Sequence, residues 1–268
     1  MAAIRSSLLL ALALAACGSA PPAPDVPAHA VASACEQRRF EGSAFTACRY
    51  DRRRHEIALF VGPRSLAALD RQLGPRAAAL RFAMNAGMYD EEGDPIGLYV
   101  AEGEERHAIN RRRGDGNFHM LPNGALTVDR DGRVAIVPAE RYDPAERPRW
   151  ATQSGPMLVI DGALHPAIRP NGDSLHVRNG VGVADPGTAW FVISDEPVSF
   201  GRMARFLRDG LGCPNALYFD GSVSSLWDRP AGRRDAYDRL GPLVAVFERL
   251  GPPAVRERDT GARRRPGG

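Results

Sequence analysis

The sequence predicts an α+β fold, a single domain with a mixed, largely antiparallel β-sheet, several hairpins and at least one βαβ unit. Three observations predict it. Short apolar runs of four to eight residues recur along the chain and end in Gly, Asp, Asn or Pro. Only two segments, near 65–74 and 199–210, carry apolar residues at helical spacing. One of these lies between two apolar runs, at the spacing of a strand–helix–strand crossover.

Taken in order, "HEIALFVG" (55–62) reads as the first long strand. Ser65 then caps a short helix whose Leu66, Leu69 and Leu73 share a face, and Gly74 ends it. "ALRFAMN" (79–85) and "IGLYVAEG" (96–103) read as a hairpin-like pair around a loop containing Gly93 and Pro95. "ALTVDRDGRVAIVP" (125–138) is the clearest hairpin, with Asp129-Arg130-Asp131-Gly132 at its turn. Those aspartates lack the later ligands of a calcium loop. "GPMLVIDGAL" (155–164) reads as a strand ending at Asp161-Gly162, and 177–185 with 188–195 as paired strands. Ser199 opens the second helix, with Phe200, Met203, Ala204, Phe206 and Leu207 on one face and Gly210 at its end. "NALYFDG" (215–221) follows, so the strands flanking this helix should run parallel with a right-handed crossover. A last strand lies within 240–250.

The chain has 268 residues, enough to bury a substantial core. All 35 basic residues are arginine. With no lysine there is no Schiff-base chemistry and no P-loop lysine. The formal charge of +3 is concentrated at the ends. Arg5 and the tail 256–268, with five arginines and two acids, leave the remainder near −1. No basic stripe interleaved with aromatics points to nucleic acid.

Residues 1–16 read as an export signal: Arg5, then the apolar run from Leu8 to Ala16. "LAAC" ending at Cys17 matches a bacterial lipoprotein signal, which implies cleavage before Cys17 and lipid on its sulfur. Plain secretion is the alternative. Residues 17–34, rich in proline and alanine, read as a tether. Residues 35–250 form the domain, and 251–268 a disordered basic tail. The expected location is the bacterial envelope, lipid-anchored at the outer membrane and facing the periplasm. In that oxidising setting Cys35 and Cys48, flanking a hairpin-like segment, are the expected disulfide, and Cys213 a packed thiol.

The polar chemistry gathers where apolar runs stop. "LYFDGSVSSLW" (217–227) drives a buried strand into Asp220, Gly221 and Ser222. In a crossover unit, ligands sit beyond the carboxyl ends of the strands. Similar clusters are Asn85-Ala86-Gly87, Asn117 within "GDGNF", Ser154-Gly155-Pro156 and Arg178-Asn179-Gly180. Amides and carboxylates suit sugar hydroxyls, and arginine suits phosphate.

"MNAGMY" (84–89), "QSGPMLVIDG" (153–162), "VRNGVGV" (177–183) and "ALYFDGSVSSLW" (216–227) occur in the order and at the separations of a known family. The sequence resembles the phosphodiester glycosidase family over roughly 40–250. That family includes a lysosomal uncovering enzyme and bacterial exopolysaccharide-biosynthesis proteins. The family's Asp-Gly pair falls on Asp220 and Gly221, and its serine on Ser224 or Ser225. Ser222 and Val223 stand where relatives have further glycines. The family's arginine falls on Arg178 and its last glycine on Gly182. The resemblance implies removal of a sugar joined through its anomeric carbon to a phosphodiester, by an exported lipoprotein acting on envelope or extracellular polysaccharide.

On this reading Asp220 and Arg178 are catalytic. Asn85, Gly87, Asn117, Ser154, Gly155, Asn179, Gly221, Ser222 and Ser224 bind substrate. Glycosidases use two carboxyls; Asp195, Asp173 and Glu196 are candidates for the second. Arg178 could stabilise charge on the departing phosphate. Ser222 as nucleophile lacks the G-x-S-x-G elbow and an obvious base, and His119 and His176 lie near polar clusters without forming a pair. No cofactor is expected, and no metal-ligand spacing supports a metal. The expected partners are a carbohydrate or glycosyl phosphodiester and the membrane, through the lipid. Two other functions fit the same clusters: a non-catalytic glycan-binding lipoprotein, or an envelope phosphodiesterase attacking phosphorus.

Overall fold

The computed structural model describes residues 32–249. The export signal, Cys17, most of the tether and the tail lie outside the described residues. Seventeen strands form three sheets. The largest has seven strands in the order Cys35–Phe40, Ser43–Asp51, Thr188–Ser194, Asn179–Asp185, Asn215–Tyr218, Met157–Ile160 and Ala163–Leu164. The second runs Arg233–Arg234, Leu226–Asp228, Leu80–Asn85, Leu243–Glu248 and His55–Phe60. The third runs Glu104–His107, Tyr99–Ala101, Trp150–Ser154, Gly124–Val128 and Val134–Pro138.

Successive side chains of a strand leave opposite faces, and the large sheet uses both. Cys48, Val181, Phe191, Ile193 and Leu217 join the main core, which also takes Phe82 and Met84 from the second sheet and Tyr99 and Leu126 from the third. Their neighbours in sequence, Ala47, Val192, Ala216 and Tyr218, pack instead with Met203, Phe206 and Leu207 of the second helix. That helix, Phe200–Arg205, widens into a π turn over Phe206–Gly210. Ser199 caps it, accepting the Arg202 N–H at 3.2 Å. The first helix, Leu66–Leu73, buries Leu66, Leu69 and Leu73. Ser65 Oγ accepts the Ala68 N–H at 3.1 Å, and Gly74 at φ 51° ends it.

The α+β class, the 124–138 hairpin and the pairing of 179–185 with 188–194 match the sequence reading. The crossover through the second helix is present in a split form. Thr188–Ser194 and Asn215–Tyr218 run in the same direction, but Asn179–Asp185 lies between them, antiparallel to both. Every pairing among the described strands is antiparallel.

One expected pairing is corrected. Leu80–Asn85 and Tyr99–Ala101 do not pair; they belong to different sheets. The segment between them crosses from one sheet to the next, holding itself only by a Tyr89–Pro95 bridge and short turns. The strand Met157–Ile160 ends at Asp161-Gly162 as expected, and this turn folds Ala163–Leu164 back onto it. Cys35 and Cys48 form the disulfide across the first hairpin. Cys213 is free and buried, which pushes its thiol pKa up to about 12.

Candidate functional site

The strand Asn215–Tyr218 leaves its sheet at Phe219, whose N–H donates to Asn179 O at 3.1 Å. Asp220 then caps a 3-10 turn, Gly221–Val223, with its Oδ1 accepting the Ser222 N–H at 3.1 Å. The turn is bolted to two other strand ends. Asn85 closes Leu80–Asn85, and Asn179 opens Asn179–Asp185. Asn85 Nδ2 donates to Asp220 O at 2.8 Å, while its Oδ1 accepts Asn179 Nδ2 and Ser225 N–H, both at 2.9 Å. Asn179 Nδ2 also reaches Asn85 O at 2.9 Å. Ser224 Oγ lies 3.2 Å from Asn179 Oδ1 and 3.1 Å from Val177 O. Both asparagines are buried, so each unmade bond would be costly. The amides at the strand ends are therefore the frame that fixes the acid.

Gly221 answers to sterics. A Cβ there would lie 1.9 Å from Tyr218 Oη. Arg178 approaches the same hydroxyl from the other side, Nη1 to Oη at 3.3 Å. The guanidinium is buried, with Nε donating to Val198 O at 2.8 Å and Nη2 to Ser174 O at 2.9 Å. Its face lies 3.7 Å from the Phe200 ring centroid. Arg178 was expected as an open fork for phosphate. Instead it is a buried charge that reaches the Asp220 turn through Tyr218. It has no carboxylate partner among the described residues, and burial pulls its pKa down.

The remaining expected residues fall in three places. Gly87 lies flush against the third sheet, where a Cβ would come 2.2 Å from Thr152 Oγ1 and 2.5 Å from Gln153 O. Ala86 O accepts the Asp220 N–H at 3.3 Å, so this segment joins Asp220 to that sheet. Ser154 is fully buried, and its Oγ has no partner among the described residues. Gly155 packs on the backbone of Asn117 and Phe118, and the adjacent Pro156 O accepts the Tyr218 N–H at 3.1 Å. The Asn117 side chain is exposed, outside the hydrogen-bonded frame. Ser222 is exposed at the front of the turn.

Burial raises the Asp220 pKa, and hydrogen bonds from Ser222 oppose the shift. No other carboxylate contributes to it. The proposed second carboxyls are engaged elsewhere. Asp195 accepts from Thr46 Oγ1 at 2.9 Å and pairs with Arg233 at 3.1 Å. Glu196 accepts the Ala44 N–H at 3.2 Å. Asp173 lines a cavity of about 300 Å³ with Ser174 and Phe200, the residues that hold the Arg178 guanidinium. His119 Nδ1 meets Arg112 O at 2.9 Å, and His176 pairs through its backbone with Val198. Among the described residues no cluster of His, Cys, Asp and Glu is placed to hold a metal.

Sequence reasoning passed over two tyrosines. Burial and then the charge of Asp220 push the Tyr89 pKa up to about 12, and its hydroxyl donates to Arg239 O. Tyr237, 45% exposed, donates to Ser222 O at 3.3 Å. Tyr89 follows the Asn85-Ala86-Gly87 cluster closely enough to have been read with it. Tyr237 sits in a polar loop with no local signal. Together they give the acid an aromatic flank, a surface that suits the apolar face of a sugar ring.

Residues 78–238 match the sequence profile of the family described as phosphodiester glycosidase. YigE of Escherichia coli K12, an uncharacterized protein, is 37% identical over 148 residues, which are 55% of this chain and 58% of that protein. The fold is similar to that of the zebrafish N-acetylglucosamine-1-phosphodiester alpha-N-acetylglucosaminidase catalytic domain, solved in a form auto-inhibited by its pro-peptide. The TM-score is 0.54 and the identity 14%, over 81% of this chain and 82% of that one. A hypothetical protein from Synechocystis matches at a TM-score of 0.51 and 14% identity, over 80% of this chain and 61% of that one. The profile covers more than half of the chain and includes Asn85, Arg178, Asn179 and the whole Asp220 turn. This chain belongs to the phosphodiester glycosidase family.

Proposed function

We propose that the chain hydrolyses the bond between a sugar's anomeric carbon and the phosphate of a glycosyl phosphodiester, with Asp220 at the reacting centre. One observation carries the reading: a carboxyl whose pKa is raised by burial, set in a hydrogen-bonded frame and flanked by tyrosines. A raised pKa makes the ionised carboxylate a better proton acceptor. Water attacks the anomeric carbon, its proton passes to Asp220, and the carbon–oxygen bond breaks. The phosphomonoester leaves with the bonding electrons. Glycosidases commonly need a second carboxyl to protonate an alkoxide. A departing phosphate is already a stabilised anion, so this site works with one. Arg178 is a positioning residue. Its charge, held against the Tyr218 hydroxyl behind the Asp220 turn, favours negative charge in front of the turn.

The same reading extends to location. Lipid on Cys17 would hold the domain at the bacterial envelope, within reach of phosphodiester-linked polysaccharide. A Cys17→Ser substitution should move the protein from the membrane to the soluble fraction.

The test is release of free N-acetylglucosamine and other sugars from a panel of sugar-1-phosphodiesters by the full chain, beside Asp220→Asn. Free sugar from the wild type alone supports the reading. A sugar phosphate as the product would show attack at phosphorus and overturn it. Equal release by the variant would remove Asp220 from the chemistry.

A further inference from the structure

A cavity of about 590 Å³ lies apart from the Asp220 turn and shares no residue with it. Its charged and aromatic lining is Arg38, Arg49, Arg54, His55, Arg81 and Trp190, with the carboxylates Glu36, Asp51 and Asp185 also at its wall. Two residues of its wall carry buried polar atoms without a hydrogen-bond partner among the described residues, His55 Nε2, Arg81 Nε and Arg81 Nη1, and Glu248 Oε2 behind them is in the same state. His55 Nδ1 accepts the Asp51 N–H at 3.1 Å, which places the ring proton on Nε2. Glu248 Oε2 stands 3.6 Å from that nitrogen and 3.5 Å from Arg81 Nε. Arg54 lies 3.8 Å from the same carboxylate. One carboxylate thus faces two guanidinium groups. Arg81 Nη2 donates to Ala32 O, whereas Nη1 is unused although the side chain is only 4% exposed. A buried donor left in this state is costly unless something completes it.

The mouth of the cavity adds two groups. Arg49 and Trp190 are directly opposed across the ladder between Ser43–Asp51 and Thr188–Ser194. Opposed residues project from the same face. Arg49 is exposed and makes no ion pair among the described residues, whereas Arg38 is held by Glu36 at 2.7 Å. Trp190 is half-buried, so part of its ring is open. A bare anion would use Arg49 and Arg81 and leave the indole uncovered. A neutral sugar would cover the indole and leave Arg49 and Arg81 Nη1 without an anionic partner. A hydrocarbon would desolvate a polar lining for little return.

We propose that this cavity is a second, non-catalytic saccharide site that takes an anionic sugar. The ring lies against Trp190, and a carboxylate or phosphate on it meets Arg49 and Arg81. Arginine forks match both anions. The volume falls within the range of small-molecule sites. The proposal does not depend on what Asp220 does. A polymer carrying both charged residues and phosphodiester linkages would engage the two sites together.

The test is calorimetric titration of the full chain with glucuronic acid, glucose 6-phosphate, glucose and inorganic phosphate. The variants are Arg49→Gln, Trp190→Ala and Asp220→Asn. At least one anionic sugar should bind about tenfold more tightly than both glucose and inorganic phosphate. Which of the two binds identifies the anion. Arg49→Gln and Trp190→Ala should each weaken that binding about tenfold, the value of one charged hydrogen bond or aromatic contact. Asp220→Asn should leave it unchanged, and sugar release should be unaffected in the two cavity variants. Arg49 is exposed, so Arg49→Gln keeps the test valid if Trp190→Ala does not fold. Binding that survives Arg49→Gln, that inorganic phosphate matches, that Asp220→Asn abolishes, or that is absent for both anionic sugars would overturn the proposal.

Discussion

The Asp220 turn and the His55–Arg81–Glu248 cluster are both polar and partly buried, yet they are built in opposite ways. Around Asp220 the frame is closed: Asn85 and Asn179 share their amides with Asp220 O, Ser225 N–H and each other. Only the carboxyl is lightly held, by Ser222 alone. Around Arg81 the frame is open, with donors and an acceptor just beyond hydrogen-bonding distance. A closed frame holds a reactive group in place before substrate arrives, as transition-state stabilisation requires. An open frame is completed by whatever binds. The two regions should therefore respond differently to substitution and to pH.

The largest expected effect is on turnover. Asp220→Asn should lower sugar release by roughly 10³-fold, the scale of losing a positioned proton acceptor. Its amide oxygen can still accept the Ser222 N–H, so the fold should survive. The raised pKa has a further consequence. The folded state holds a proton on Asp220 more tightly than the unfolded chain, so ionisation costs stability as pH rises through the folded pKa. At neutral pH the variant should melt slightly above the wild type, and the gap should close in acid. A lower melting temperature for the variant at pH 7 would make Asp220 structural.

Next is the frame itself. Asn85→Ala removes the partners of Asp220 O and Ser225 N–H inside a buried site, and should cost about 3 kcal/mol in denaturant unfolding. Turnover should fall with it even where the variant is fully folded. A loss below 1 kcal/mol would mean that water replaces the amide, and that the frame is less closed than the hydrogen bonds indicate.

The same contrast explains what could be read from the sequence. Apolar alternation made the fold class and most long strands legible, because one face of each strand meets a core. Glu104–His107 and Arg233–Arg234 left no such signal; they are charged, largely exposed edge strands held by backbone pairing and surface ion pairs and not by an apolar face. The false pairing of 79–85 with 96–103 arose because a turn and a sheet-to-sheet crossing both need Gly and Pro. In the site, Asn85, Asn179, Asp220, Gly221 and Ser224 were legible as small polar residues interrupting apolar runs. The direction of Arg178 was not, since the same residue type serves an open phosphate fork and a buried brace. Nor was the Arg81 cluster, whose members lie far apart in the chain.

The open cluster gives the last and smallest effect of the three. His55 is buried, which lowers its pKa to about 4, although the Glu248 charge pulls the other way. The unfolded chain takes up a proton near pH 6.5, whereas the folded state resists until about pH 4. Below pH 6.5 the unfolded state therefore binds more protons, and stability falls as acid is added. The loss should reach about 2 kcal/mol between pH 6.5 and 4, opposite in sign to the Asp220 contribution. In a His55→Gln variant this part of the pH dependence should disappear, while the Asp220 part persists. Gln can still accept the Asp51 N–H and donate toward Glu248, so the cluster keeps its pattern without a titrating group. An unchanged acid slope in His55→Gln would remove His55 from the pH dependence of stability.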